Sequence, residues 1–489
     1  MDPSPFLDAE LLARTVELAR EYLAGLPERR VGARAGVEEL RSLLSRPLPE
    51  SGEPARAALE SLARGAEPGL IGSAGPRYFG FVIGGSLPVA LAADWLTSVW
   101  DQNTGTYSVS PANAVAEEVA AGWLVELLGL PSQASVGFVT GCQMANFTCL
   151  AAARHALLER AGWDVEARGL YGAPEIRVIV GDEAHVTVLT SLQMLGLGRE
   201  RVRRAAADGQ GRMVAAELAR VLAESDAPTV VCAQAGNVNT GAFDPLAEIA
   251  ALCRVHEAWL HIDGAFGLWA AASPELRPLL DGHSLADSWA TDGHKWLNVP
   301  YDCGFAICAH PAAHRTAMTT AAPYLIQTEG RERDPFDWVP EFSRRGRGFT
   351  VYAALLHLGR QGVADLVERC CALARRMAEQ LAAAPRVAVL NDVVSNQVLV
   401  RFAPPDGGDE HALDAYTREV IRRVQEDGTL WLGGTTWQSK AAMRISVSNW
   451  ATTEADADRS VAAILRAAGP GKRRENGPGR PAQAATRRA

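Results

Sequence analysis

Residues 259–296 read WLHIDGAFGLWAAASPELRPLLDGHSLADSWATDGHKW. Two short apolar runs, 259–262 and 288–291, each end on an acidic residue followed by glycine: Asp263-Gly264 and Asp292-Gly293. Such runs, bounded by turn formers, predict strands. Similar runs precede them at 135–139, 177–180 and 229–233. Helical patterns at 144–158, 213–223 and 245–256 lie between some of them. This alternation predicts an α/β fold with a mainly parallel sheet and helices on both faces. In that architecture ligands gather at the C-terminal ends of the strands. Lys295 and Asp263 both stand there.

Outward from this region the pattern changes. Residues 7–66 predict amphipathic helices separated by Pro and Gly, followed by helices at 86–100 and 112–128. A long helix at 350–383 leads to strands at 387–390, 397–401 and 442–447 with helices at 411–425 and 454–468, a smaller α+β unit. The expected division is an N-terminal helical segment at 1–95, a large domain at 96–370, a small domain at 371–469 and a disordered, Pro- and Gly-rich tail at 470–489.

The chain has 489 residues, 48% hydrophobic and 21% charged, which suits a multi-domain globular protein. The net charge of −9 argues against a nucleic-acid partner. Residues 78–100 carry a single charge, Asp94, but Gly80, Gly84, Gly85 and Pro88 break the run. A buried loop followed by a core helix is expected there, not a membrane span. The acidic N-terminus lacks the pattern of a signal peptide. The eight Cys show no metal-ligand spacing, so free thiols in a cytoplasmic protein, and no bound metal, are expected.

Only Lys295, Lys440 and Lys472 are lysines among the 48 basic residues. Arginine stays protonated and cannot act as an amine nucleophile, whereas a buried lysine can. Lys472 lies in the polar tail, but Lys295 is retained beside Trp296 and Leu297, which points to imine chemistry. Asp263, at the end of an apolar strand, is costly there unless paired. It either caps or pairs structurally, or it faces a cationic heterocycle whose ring then acts as an electron sink. Its position at the same sheet edge as Lys295 favours the second reading. Thr140-Gly141-Cys142-Gln143 joins a strand to a helix, where backbone N–H groups and the helix dipole suit a phosphate dianion. His294 is also within reach of that phosphate. His185 follows the strand at 177–180 and either caps a helix or stacks on the heterocycle. Asn237 follows another strand and is expected along the same edge.

The chain resembles the group II pyridoxal-phosphate-dependent amino-acid decarboxylases, the family of the aromatic-L-amino-acid, glutamate and diaminobutyrate enzymes. The resemblance runs from about residue 76 to 468. It is carried in order by PRYFGFVIGGSLP, SPANAVAEEVAAGWLVELLGLP, TGCQMANFTCLAAAR, DEAH, HIDGAFG, DGHKWLNVPYDCG, SRRGRG and MRISVSNW. It implies the aspartate-aminotransferase-like fold type I and a homodimer with shared active sites. It makes Lys295 the Schiff-base lysine of pyridoxal 5'-phosphate, Asp263 the partner of the pyridine nitrogen and His185 the stacking residue. Residues 141–143 become phosphate contacts. Arg444 matches an arginine associated with the substrate carboxylate, or is a structural arginine on a strand. Phe81 and Val82 fall in the segment that lines the substrate pocket and favour an apolar or aromatic side chain. Asn103 and Tyr107 are expected from the partner subunit.

The chain departs from the family at three places. Cys142 and Gln143 replace small residues of the phosphate turn. Gly236-Asn237-Val238 stands where many relatives have Gly-Thr-Thr. Between Leu325 and Arg345 there is no Tyr, where decarboxylating relatives carry one on a mobile loop that protonates Cα; Phe336 falls in that stretch. In plant relatives loss of that Tyr accompanies oxidative formation of an aldehyde. An aldehyde synthase or another carbon–carbon lyase is therefore the alternative to amine formation, with His185 as an alternative acid. A catalytically silent binding subunit is the third reading, and retention of Lys295 and Asp263 argues against it.

Overall fold

The computed structural model describes residues 7–319 and 332–469. A seven-stranded sheet forms the centre. Its strands are β1 (Ser135–Val139), β2 (Arg177–Gly181), β3 (Arg203–Ala205), β4 (Thr229–Gln234), β5 (Trp259–Asp263), β6 (Ser288–Asp292) and β7 (Gly304–Cys308). Their order is β1-β7-β6-β5-β4-β2-β3. Pairings are parallel from β3 to β6, and β7 runs antiparallel to both β6 and β1. β1, β4, β5, β6 and β7 are buried along their whole length, as expected of strands covered on both faces. The sequence predicts five of the seven strands. β7 and the three-residue edge strand β3 escape it.

Register decides what meets at the sheet edge. Gln234 is level with Asp263, Asp263 with Ala290, and Asp292 with Gly304. Val139 is also level with Gly304. The turn leaving β1 therefore lies one strand away from Asp292, with Gly304 between them. A Cβ on Gly304 would lie 2.6 Å from the Gly141 Cα and 3.1 Å from an Asp292 carboxylate oxygen. Only a glycine lets the turn close onto Asp292.

The long helix Arg347–Ala382 is interrupted at Gly359, where φ is +60°. It leads to a four-stranded antiparallel sheet of β8 (Val387–Val389), β9 (Gln397–Phe402), β10 (Gly433–Trp437) and β11 (Lys440–Ser446), in the order β10-β11-β9-β8. The segment before the first sheet is stitched to this second one. Phe79 N–H donates to the Trp431 carbonyl and Ser446 N–H to the Phe79 carbonyl.

The predicted loop and helix at 78–100 need one correction. The loop is largely buried, but the helix, Pro88–Trp100, is not a core helix in the single chain. Trp95, Leu96, Val99 and Trp100 are exposed, because no element among the described residues covers that face. The expected tail at 470–489 and residues 320–331 of the loop region lie outside the described residues. No helix among the described residues is long and apolar enough to cross a membrane.

Asn298 braces the site against the rest of the fold. Fully buried, it accepts from Gly85 N–H at 2.6 Å and Trp450 N–H at 3.0 Å, and donates to the carbonyls of Trp296 at 2.9 Å and Ser448 at 3.0 Å. Asn298→Ala strands four backbone groups, three of them in buried contacts. We expect it to lower the unfolding free energy by about 3 kcal/mol or more, measured by chemical denaturation. A loss within about 0.5 kcal/mol would mean that the brace is dispensable.

Candidate active site

Lys295 follows the turn that leaves β6. Its Nζ lies 3.0 Å from Asp292 Oδ2. Burial opposes the charge on Lys295, but Asp292, together with Cys142 and Asp263, outweighs it and raises the pKa. The other Asp292 oxygen accepts from Cys142 N–H at 2.6 Å, at the first residue of the helix Cys142–Arg160. Asp292 thus joins the lysine to the positive end of a helix. The loop before Pro88 covers the lysine from the other side. A Cβ on Gly84 would fall 1.8 Å from the Lys295 carbonyl oxygen, so that backbone passage admits no side chain.

Asp263, the last residue of β5, is 5% exposed. It accepts from three groups: Cys142 Sγ at 3.3 Å, Asn146 Nδ2 at 3.3 Å and its near neighbour Ala265 N–H at 3.2 Å. A carboxylate can take four such contacts, so one lobe stays open. Lys295 and Asp263 both meet the Cys142 turn, one through Asp292 and one directly.

His185 is the N-cap of the helix Val186–Met194. Its Nδ1 accepts from Thr187 N–H at 3.4 Å and lies 2.8 Å from Thr187 Oγ1, which leaves the proton on Nε2. Burial lowers its pKa. Asp263 and Asp292 oppose that shift, and Lys295 and Arg444 reinforce it. His185 is therefore neutral near pH 7 and lies in the field of all four charged groups. His294 also has a lowered pKa, from burial first, with Lys295 adding to it and Asp292 opposing. Its Nε2 is 3.4 Å from Asp292, and its Nδ1 accepts from Cys303 N–H at 3.1 Å. Tyr301 stacks on the His294 ring at 4.2 Å.

The remaining predicted residues divide. Thr140 and Gly141 form the turn, where a Cβ on Gly141 would meet His294 at 3.0 Å. Gln143 is exposed on the first turn of the helix, and its carbonyl accepts from Ser191. Arg444 lies on β11 and donates to the Val238 carbonyl at 3.2 Å. No carboxylate pairs with it among the described residues. Asn237 caps its own turn, accepting from Asn239 and Thr240 N–H, and its Nδ2 is buried without a partner among the described residues. Phe81 is exposed and stacks on Trp431 at 5.6 Å, while Val82 is buried. Asn103, Tyr107 and Phe336 gather elsewhere. Asn103 donates to Ser343 Oγ, and Tyr107 N–H to Asp334. Phe336 is buried against Phe342, with its N–H on the Gly105 carbonyl. The contacts described for these three do not include Lys295. Asp292, Asn146 and Tyr301 are neighbours of the site that carried no assigned role in the sequence.

The residues present fit pyridoxal phosphate. There is an amine, an acidic partner with an open lobe, a neutral imidazole, and a turn pinched at Gly141 beside helix N–H donors. A family model, the pyridoxal-dependent decarboxylase conserved domain, matches residues 38–403. The chain belongs to this family.

The decarboxylase is 29% identical over 415 residues to the human acidic amino acid decarboxylase GADL1, covering 81% of this chain and 78% of that one. It is 26% identical over 447 residues to the aromatic-L-amino-acid decarboxylase of Bacillus atrophaeus, covering 90% and 91%. The crystal structure of mouse CSAD superposes with a TM-score of 0.87 at 26% identity, covering 95% of this chain and 99% of that one. The enzyme is a pyridoxal-phosphate-dependent amino-acid decarboxylase with the fold of that family.

Asp292 is the nearest group that raises the Lys295 pKa, so Asp292→Asn lowers it and frees the neutral amine at lower pH. The pH midpoint for capture of pyridoxal phosphate by the apoenzyme, followed by absorbance, should move down. An unchanged or raised midpoint would show that Asp292 does not set the lysine's charge.

Proposed function

We propose that this decarboxylase removes the α-carboxylate of an L-amino acid with an apolar or aromatic side chain, giving the amine and CO2. The observation that carries the reading is the convergence of Lys295, Asp263 and the turn at 140–143 on one sheet edge. Pyridoxal phosphate bound there supplies an aldehyde for the substrate amine and a protonated ring that accepts the electron pair left by departing CO2.

The chain's own residues do the rest. Lys295 anchors the cofactor between substrates. Asp263, through its open lobe, would hold the proton of the ring nitrogen. Thr140, Gly141 and Gln143 would present the helix N-terminus to the phosphate, with His294 beside them, whereas Cys142 already gives its N–H to Asp292 and its thiol to Asp263. His185, neutral and carrying its proton on Nε2, would hold the ring and supply a proton to Cα. Arg444, a half-buried cation without a carboxylate partner among the described residues, orients the substrate carboxylate. Asn237 lines the same edge. Phe81 and Val82 favour an apolar side chain, and a partner subunit brings its own Asn103, Tyr107 and Phe336 region toward the pocket. The exposed face of Trp95, Leu96, Val99 and Trp100 supports a second copy of the chain as that partner.

The absence of Tyr from 325–345 favours a second reading, in which oxygen is consumed and an aldehyde forms. One assay separates the two. Holoenzyme is incubated with each standard amino acid and scored for CO2, amine, oxygen uptake and aldehyde. We expect amine and CO2 without oxygen uptake, best with apolar or aromatic substrates, and loss of both the visible absorbance band and turnover in Lys295→Ala. Aldehyde, ammonia and peroxide would replace the proposal with the oxidative reading.

A further inference from the structure

Behind Asp263 runs a chain of buried polar side chains that the reaction does not touch. Asn146 Oδ1 lies 2.8 Å from His261 Nε2, and His261 Nδ1 lies 2.9 Å from Ser288 Oγ. Ser288 Oγ in turn accepts from the Trp259 indole N–H at 2.9 Å. Asn146, His261 and Ser288 are fully buried, and Trp259 is 3% exposed. Three come from β5 and β6, and Asn146 comes from the second turn of the helix that begins at Cys142.

The polarity of this chain is fixed from its ends. An ionised carboxylate only accepts, so the Asn146 amide nitrogen must face Asp263 and its oxygen must face His261. His261 Nε2 must then carry a proton. Burial lowers the His261 pKa to about 4, with Asp263 and Ser288 opposing, so the ring is neutral and Nδ1 is left as an acceptor. Ser288 supplies the hydroxyl proton to Nδ1, and Trp259, which can only donate, closes the far end. Every hydrogen points toward Asp263.

Asn146 turned the other way would set an amide oxygen against the carboxylate. His261 Nε2–H prevents that, because it needs an acceptor. Together with Cys142 and Ala265, Asn146 leaves Asp263 a single open lobe.

We propose that His261 is a positioning residue for the cofactor: it locks the Asn146 amide with its N–H on Asp263 and so fixes which lobe of that carboxylate meets the ring nitrogen. This rests on the role proposed above for Asp263. The groups facing Asp263 on its other sides are Cys142, His185 and Lys295. None of them touches the Asn146 amide in the described contacts.

The test uses isosteres. Gln at 261 places an amide N–H near the position of Nε2, whereas Asn at 261 places it near Nδ1. Dissociation constants of pyridoxal phosphate from the apoenzyme would be measured by fluorescence for wild type, His261→Gln, His261→Asn, Asn146→Ala and Asp263→Asn. The absorbance spectrum of each loaded protein and the melting temperature of each apoprotein would be recorded alongside. We expect Gln to stay within about threefold of wild type. Asn at 261 and Ala at 146 should weaken binding about tenfold or more and alter the spectrum, because Asp263 loses an oriented donor. Equal constants for His261→Gln and His261→Asn at matched apoprotein stability would overturn the proposal. If His261→Asn does not fold, Asn146→Ala binding like wild type overturns it equally. Asp263→Asn separates the two levels. If it leaves binding and spectrum unchanged, the role of Asp263 itself fails. If it weakens binding while His261→Asn and Asn146→Ala do not, only the positioning role of His261 fails.

Discussion

Asp292 ties the site together. It is 2% exposed, holds Lys295 Nζ with one oxygen and the first N–H of the helix Cys142–Arg160 with the other, and lies beside His294. A buried carboxylate is tolerated only when its charge is met, and here a lysine and a helix N-terminus meet it. The consequence is geometric. The lysine after β6 and the turn after β1 must converge although β7 separates the two strands, and Gly304 on β7 has no side chain to keep them apart.

The two carboxylates of the site are solved differently. Asp292 faces charge, and Asp263 faces neutral donors: a thiol, an amide and a backbone N–H. Asp292 can thus pair with the lysine while Asp263 keeps a lobe open. Cys142 takes part in both arrangements, its N–H on Asp292 and its thiol on Asp263. That gives a physical reason for a cysteine at this turn position.

Much of this was legible in the sequence. Five of the seven strands announce themselves as apolar runs, and Lys295 and Asp263 are conspicuous because each is a charged residue at or just past the end of such a run. β3 is invisible because Arg203 and Arg204 are exposed and only pairing with β2 makes them a strand. The helix Val186–Met194 begins Val-Thr-Val, residues that by themselves favour a strand. Its helical state depends on the His185 cap. The roles of Asp292, Asn146 and His261 depend on register between strands distant in sequence, which no local pattern encodes. Phe336, read as part of a substrate loop, is buried in this chain against Phe342. The helix Pro88–Trp100 shows the opposite case, since its apolar composition predicts burial that the described residues of a single chain do not supply.

Lys295 alone is expected to form the covalent link to the cofactor. Borohydride reduction of the holoenzyme, followed by peptide mapping with mass spectrometry, tests it directly. We expect a phosphopyridoxyl label on the peptide containing Lys295 and none on those containing Lys440 or Lys472. A label on either of the latter, or no label in a protein that binds pyridoxal phosphate tightly, would contradict it.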